Sequence, residues 1–197
     1  MTRLKPLSLP LLAACSIAWA QAPQGVPTPG PTLPAQKASA AKPGAFREIN
    51  WDELVPKDWD PMKELKGLQF AGLSDADPRA AEALKKMRQA WDNAPSNPGL
   101  DGQSVRIPGY VVPLEETKDG LKEFLLVPYF GACIHSPPPP ANQIIHVLPR
   151  NAPKGIRSMD PVWISGTLVR GKVDSYMGAA AYKMEARSVE PYVERPR

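Results

Sequence analysis

The sequence predicts a mainly β protein with one N-terminal helix (α+β), built around a small five-stranded OB-like barrel. Three observations predict it. Short apolar stretches of strand character follow one another across residues 103–192. Glycines stand inside or between them, where bends and turns belong. One strongly helical stretch precedes them all. Five short strands, bends at glycine and one preceding helix suit a closed barrel better than a sandwich.

The chain has 197 residues, enough for one ordinary domain plus extras. Residues 1–20 stand outside the fold. Arg3 and Lys5 precede an apolar run from Pro6 to Ala20, which ends in Ala18-Trp19-Ala20 before Gln21. That is the pattern of a secretory signal peptide. The run is shorter than the roughly 20 apolar residues of a membrane-crossing helix. Leu12-Ala13-Ala14-Cys15 gives a second reading, because it resembles a bacterial lipobox with Cys15 acylated as the mature N-terminus. Either route exports the protein to the periplasm, soluble in one case and lipid-anchored through Cys15 in the other. Neither leaves a transmembrane span after signal removal.

Residues 21–45 read as a disordered Pro/Ala-rich tether, since Pro, Ala, Gly and Gln cannot bury enough apolar surface to offset ordering entropy. Residues 46–102 read as a helical extension. Ile49, Trp51, Leu54, Val55 and Trp59 form a short apolar set, a turn of helix ending near Pro56. Ser74 or Asp75 can cap the main helix, Pro78 fits its first turn, and the sequence PRAAEALKKMRQAWDNA is rich in helix formers. Ala80, Ala83, Leu84, Met87 and Trp91 fall on one face, a packing stripe. Pro95 and Pro98 end the helix.

Residues 103–192 read as the barrel. SVRIPGYVVPLE is the first strand, with Gly109 as a bend or bulge. Lys118-Asp119-Gly120 supplies a hairpin turn into LKEFLLVPYF. NQIIHVLP is the third strand, and DPVWISGTLVRGKV, with Gly166 inside it, is the fourth. AAAYKMEARSVEPY is the fifth, or a short helix turn running into one. No internal repeat and no nucleotide-binding glycine motif is present. The formal net charge of +4 is scattered, and the aromatics do not interleave with Lys or Arg. The charge therefore reads as solubility, and no nucleic-acid partner is expected.

Between the second and third strands lies FGACIHSPPPPANQIIHV, residues 130–147, which holds both histidines and one of the two cysteines. Cys15 is discarded or lipidated, so Cys133 has no intrachain partner. In an oxidising compartment such a thiol is expected to be buried, metal-bound or reactive. If the chain stays extended, Cys133 and His135 share a face, with Cα atoms about 6.6 Å apart, compatible with ligation of one metal ion. Pro137, Pro138, Pro139 and Pro140 stiffen the loop and pre-organise the neighbouring residues. His146 could lie beside Cys133 or point to solvent. Asn142 and Gln143 could orient a ligand or the thiolate.

One Cys and two His cannot fill a closed four-ligand zinc site, so a bound ion keeps an open position. Zn²⁺ or copper suits thiolate plus imidazole, and Met159, Met177 or Met184 could add a thioether for copper. Core filling is the alternative for each methionine.

The string C-I-H-S-P-P-P-P-A-N-Q, Cys133 to Gln143, resembles the signature of a family of bacterial exported proteins and lipoproteins known only as a domain of unknown function. The resemblance spans residues 46–192. It implies an OB-like barrel, a site marked by Cys133, His135, Asn142 and Gln143, and an association with membrane transporter components, some linked to zinc handling. Three functions follow as expectations. The first is a periplasmic metal-binding accessory protein holding zinc or copper at Cys133, His135 and His146 in support of a membrane transporter. The second is a non-catalytic OB-like module that binds a protein or envelope ligand. The third is a Cys/His-dependent hydrolase or transferase, for which no nucleophile turn or third triad member is visible.

Overall fold

A computed structural model describes residues 30–33, 46–60, 63, 77–134 and 138–193. Its strands are β1 (Arg47–Glu48), β2 (Gln103–Thr117), β3 (Gly120–Val127), β4 (Ile145–Pro149), β5 (Pro161–Ser175) and β6 (Gly178–Pro191). The helix α1 spans Pro78–Asp92. β2 pairs antiparallel with β3, β3 with β4, and β5 with β6, while β4 runs parallel to β6. The ring closes because β2 is long enough to serve two neighbours. Its first half pairs with β5 and its second half with β3, the two meeting at Tyr110. This is the expected five-stranded OB-like barrel. β1, contributed by the extension, adds a sixth strand parallel to β2.

Alternation along the strands makes two apolar layers. Val105, Ile107, Val111, Phe124, Leu126, Ile145, Val147, Ile164 and Met184 fill the barrel interior. Tyr110, Val112, Leu125, Val127 and Ile144 face the other way, into an outer cluster with Ala132, Met159 and Ala180. β6 is strand throughout its length, so the helix-turn alternative for Ala179 to Ala181 gives way to pairing with β5.

Gly109 is no bend. Its register with Val162 is unbroken, and the irregularities of β2 lie between Pro113 and Glu116. Glycine is needed there for close approach, since a Cβ would sit 2.6 Å from Leu126 Cγ and 2.9 Å from Trp51 Cζ2. Gly166 does mark a register shift, at Ser165/Gly166, and a Cβ there would collide with the Glu185 carbonyl oxygen.

The extension is stapled to the barrel. Trp51–Leu54 is a 3-10 turn, closed at its start by the reciprocal Asn50–Glu53 capping box. It ends at Leu54, short of Pro56. Ile49, Trp51 and Leu54 join the interior cluster, and Trp51 Nε1–H donates to the Pro108 carbonyl at 2.7 Å. Tyr182, fully buried, donates to the Leu54 carbonyl at 2.6 Å and accepts from the Asn97 amide at 2.5 Å.

Asp77, not Ser74 or Asp75, caps α1, and it accepts from the Arg79 amide at 2.9 Å. Positions 74 and 75 lie outside the described residues. Of the expected apolar face, Ala83 is buried and Ala80, Met87 and Trp91 are half-buried, but Leu84 is 46% exposed. Leu84 stands about 100° around the helix from Ala83, so a helix resting on the body along a narrow strip leaves it in solvent.

Residues 30–33 depart from a disordered tether. Thr32 forms a β-bridge with Tyr129, the Phe130 amide donates to the Pro31 carbonyl at 3.2 Å, and Leu33 packs against the outer cluster. No described helix is long and apolar enough to cross a membrane.

Candidate functional site

β3 stops at Val127, and the chain then turns tightly. The Ala132 amide donates to the Tyr129 carbonyl at 3.4 Å and the Ile134 amide to the Gly131 carbonyl at 3.3 Å. Gly131 and Cys133 take left-handed backbone angles, φ 85 and φ 65. The extended chain that would have put Cys133 and His135 on one face is therefore absent at Cys133. His135 and Pro137 lie outside the described residues.

Cys133 packs half-buried against the outer cluster. Burial pushes its thiol from the usual 9.0 up to about 12. At neutral pH it is a thiol. A cysteine nucleophile needs the opposite shift.

His146, on β4 between the inward residues Ile145 and Val147, faces outward beside Leu125, its partner on β3. It is 6% exposed, and its Nε2 lies 2.5 Å from Glu123 Oε1. A carboxylate accepts, so Nε2 carries a proton and donates it. Nδ1 is buried with no hydrogen-bond partner among the described residues.

The rest of the motif is bracing. Pro140 (φ −55, ψ 148) is close to polyproline II and leads into the 3-10 turn Ala141–Gln143. Asn142 is fully buried and donates through Nδ2 to the Pro95 carbonyl at 3.0 Å. Gln143 Nε2–H donates to the Trp51 carbonyl at 2.9 Å. Both amides thus brace the extension through their N–H groups, while Asn142 Oδ1 is buried with no hydrogen-bond partner among the described residues. Pro138 lines a small hollow together with Met87 and Trp91 of α1, and a Cβ on Gly178 would meet Pro138 Cβ at 3.0 Å.

Sequence reasoning missed Tyr182, Asn97 and the Asn50–Glu53 box. The box was readable, as Asn-x-x-Glu before an apolar turn. Tyr182 and Asn97 carry no local signal for contacts that span 128 and 85 residues.

The outer face of the second and third barrel strands is where OB barrels take oligonucleotides or oligosaccharides. Here that face carries the outer cluster, capped by Tyr129, Ala132, Cys133, Met159 and Leu33 of the same chain. The open space is elsewhere. A cleft of about 380 Å³ lies where the end of α1 meets β5 and β6, over Ala94, Pro95, Ala141 and Ala181. Its rim is polar: Arg170 Nε–H donates to Ser96 Oγ at 2.8 Å, and Lys172 Nζ to Asn93 Oδ1 at 3.0 Å. An adjoining hollow of about 470 Å³ shares Asn93 and Pro95 and reaches Trp59. Among the described residues no three His, Cys, Asp or Glu side chains converge as a metal site.

A closed OB-like barrel, braced by an N-terminal extension and carrying a buried cysteine turn over its outer face, defines the class. The chain belongs to the DUF3299 family of proteins of unknown function, whose profile matches residues 51–191. A crystallographically solved family protein from Pseudomonas aeruginosa is 38% identical, with 78% of this chain and 100% of that chain covered and a TM-score of 0.61. The second OB-fold domain of replication protein A from Methanococcus maripaludis aligns at 16% identity over 49% of this chain and 91% of its own, with a TM-score of 0.26. No curated protein matches the sequence.

Proposed function

We propose that this protein is an exported, non-catalytic OB-like module that binds an envelope ligand in the cleft between α1 and the β5–β6 hairpin. The observation that carries this reading is an open cleft with an apolar floor and a polar rim. In the motif, Asn142 and Gln143 brace the extension through their side-chain N–H groups. The cleft instead offers an apolar floor under a rim of Arg170, Lys172, Asn93 and Ser96. Its volume falls within the range of small-molecule sites. Two cations and the Asp92 carboxylate among hydroxyl and amide groups suit a ligand bearing carboxylates, hydroxyls and amines, the chemistry of a peptidoglycan fragment.

The raised Cys133 thiol and the engagement of His146 by Glu123 support a binding role over a cysteine hydrolase or transferase. The periplasmic location and a membrane transporter component as partner belong to the same proposal, supported by the leader and by the family likeness noted in the sequence. The zinc-carrier version rests on His135 joining Cys133, and His135 lies outside the described residues.

Soluble peptidoglycan fragments titrated into the exported protein test the reading. Trp59 borders the adjoining hollow, so the expected result is saturable quenching of tryptophan fluorescence. Arg170→Ala and Lys172→Ala should each weaken it by about tenfold, the scale of one charge-assisted hydrogen bond. No saturable change, or wild-type affinity retained by both variants, overturns it.

A further inference from the structure

The cleft between α1 and the β5–β6 hairpin carries opposite charges on its two sides. Asp92 is the last residue of α1, while Arg170 and Lys172 stand on β5. The two sides meet closely, since Lys172 Nζ donates at 3.0 Å to Oδ1 of Asn93, the residue after Asp92. Asp92 is out of place for the helix alone. The C-terminal end of a helix carries partial negative charge and favours a cation. The last turn of α1 holds no basic residue and ends on this carboxylate instead. Arg88, four residues back, makes no ion pair with it, and among the described residues no hydrogen bond reaches the Asp92 side chain. Uncompensated breaches of a local rule are expected at functional positions. The partner that suits Asp92 is a cation brought by a ligand.

The β5 side keeps donors for an anion. Arg170 uses its Nε–H on Ser96 Oγ at 2.8 Å, which leaves the Nη groups of a five-donor guanidinium. Lys172 Nζ also lies 3.7 Å from Asp174, but both side chains are exposed, and such a pair is weak. The floor restricts what can lie between the two sides. Ala94, Pro95, Ala141 and Ala181 present short aliphatic groups, and among the described residues no aromatic ring lines the cleft. A sugar ring finds no broad flat apolar face there. A run of methylenes does fit such a floor.

We propose, resting on the reading of this cleft as an envelope-ligand site, that it recognises an α-amino-acid centre, ammonium and carboxylate on one carbon, at the end of an aliphatic side chain. The free end of a diamino acid in a peptidoglycan stem peptide has that chemistry. Asp92 takes the ammonium, and Arg170 and Lys172 take the carboxylate. The ligand is thereby narrowed from peptidoglycan fragments at large to their peptide. The adjoining hollow of about 470 Å³, which shares Asn93 and Pro95, gives the preceding residues of that peptide a place.

Calorimetric titration of the exported protein tests this with the tripeptide alanine–γ-glutamate–diaminopimelate, the same tripeptide ending in lysine, free diaminopimelate, and the peptide-free glycan disaccharide. The lysine form keeps the side-chain ammonium and lacks its carboxylate. Wild type should bind the diaminopimelate tripeptide saturably. It should bind the lysine tripeptide and free diaminopimelate at least about tenfold more weakly, the scale of one charge-assisted hydrogen bond, and the disaccharide not at all. Asp92→Asn, nearly isosteric, should weaken both tripeptides by about tenfold. Lys172→Ala should weaken the diaminopimelate form alone, a split that a merely structural role would not produce. Equal affinity for the two tripeptides, wild-type binding by Asp92→Asn, or free diaminopimelate matching its tripeptide overturns the assignment. Binding of the disaccharide without the tripeptide overturns it and leaves the cleft an envelope-ligand site. If no probe binds, both readings fall.

Discussion

Tyr182 reaches the extension from β6 through one hydroxyl that both donates and accepts, and burial holds its phenol above the usual range. Cys133 is the second residue whose burial sets its chemistry. A thiol held at about 12 in the fold and near 9.0 when exposed is favoured in its neutral form by folding. The sign follows directly. Its contribution to stability is complete below 9.0 and is lost as the pH climbs toward about 12. The stability difference between wild type and Cys133→Ala should therefore be constant from pH 6 to 8 and shift against wild type above 9.0. Denaturant titrations at each pH measure it. A difference that changes below pH 8 would mean that the thiol is already ionising there.

At the scale of elements, the β-hairpin β2–β3 was legible because period-two alternation and the Lys118-Asp119-Gly120 turn agree. β4 begins at Ile145 rather than Asn142, because the Gln143 amide bonds back to the Pro140 carbonyl at 2.7 Å and uses residues 141–143 as a turn. Three alanines in β6 favour helix on propensity, and pairing of Ala179 and Ala180 with β5 overrides them. The motif was visible as a string, but the direction of its cysteine was not. That direction depends on the left-handed turn at Cys133 and on Met159, which is remote in sequence. Gly109 exposes the same limit, since the indole of Trp51 that needs its space comes from another element. Gly109→Ala should cost about 1–3 kcal/mol by overpacking. The loss should appear as a red shift in tryptophan emission as the Trp51–Leu54 turn loosens, ahead of global melting. An unchanged spectrum and midpoint would show that Leu126 and Trp51 yield without strain.

For the whole molecule, the boundary between extension and barrel drawn from sequence is not a boundary in packing. Ile49, Trp51 and Leu54 sit in the barrel's own interior. Burying each such side chain contributes roughly 1.5–3 kcal/mol, against a typical total stability of about 5–15 kcal/mol. A chain beginning at residue 61 should therefore lose its cooperative thermal transition and bind a hydrophobic dye. One beginning at residue 46 should melt cooperatively. Cooperative melting of the shorter chain would mean that the ring of β2 to β6 is self-sufficient.

The bridge between Thr32 and Tyr129 also fixes a length. If Cys15 carries lipid, a free chain up to Phe46 would let the barrel roam to about 110 Å from its anchor, at about 3.6 Å per residue. Docking at Gly30 shortens that leash to at most about 54 Å, again at about 3.6 Å per residue. The barrel would then range over about half the distance that a free chain allows, and the turn bearing its sulfur would be the point where the leash is tied.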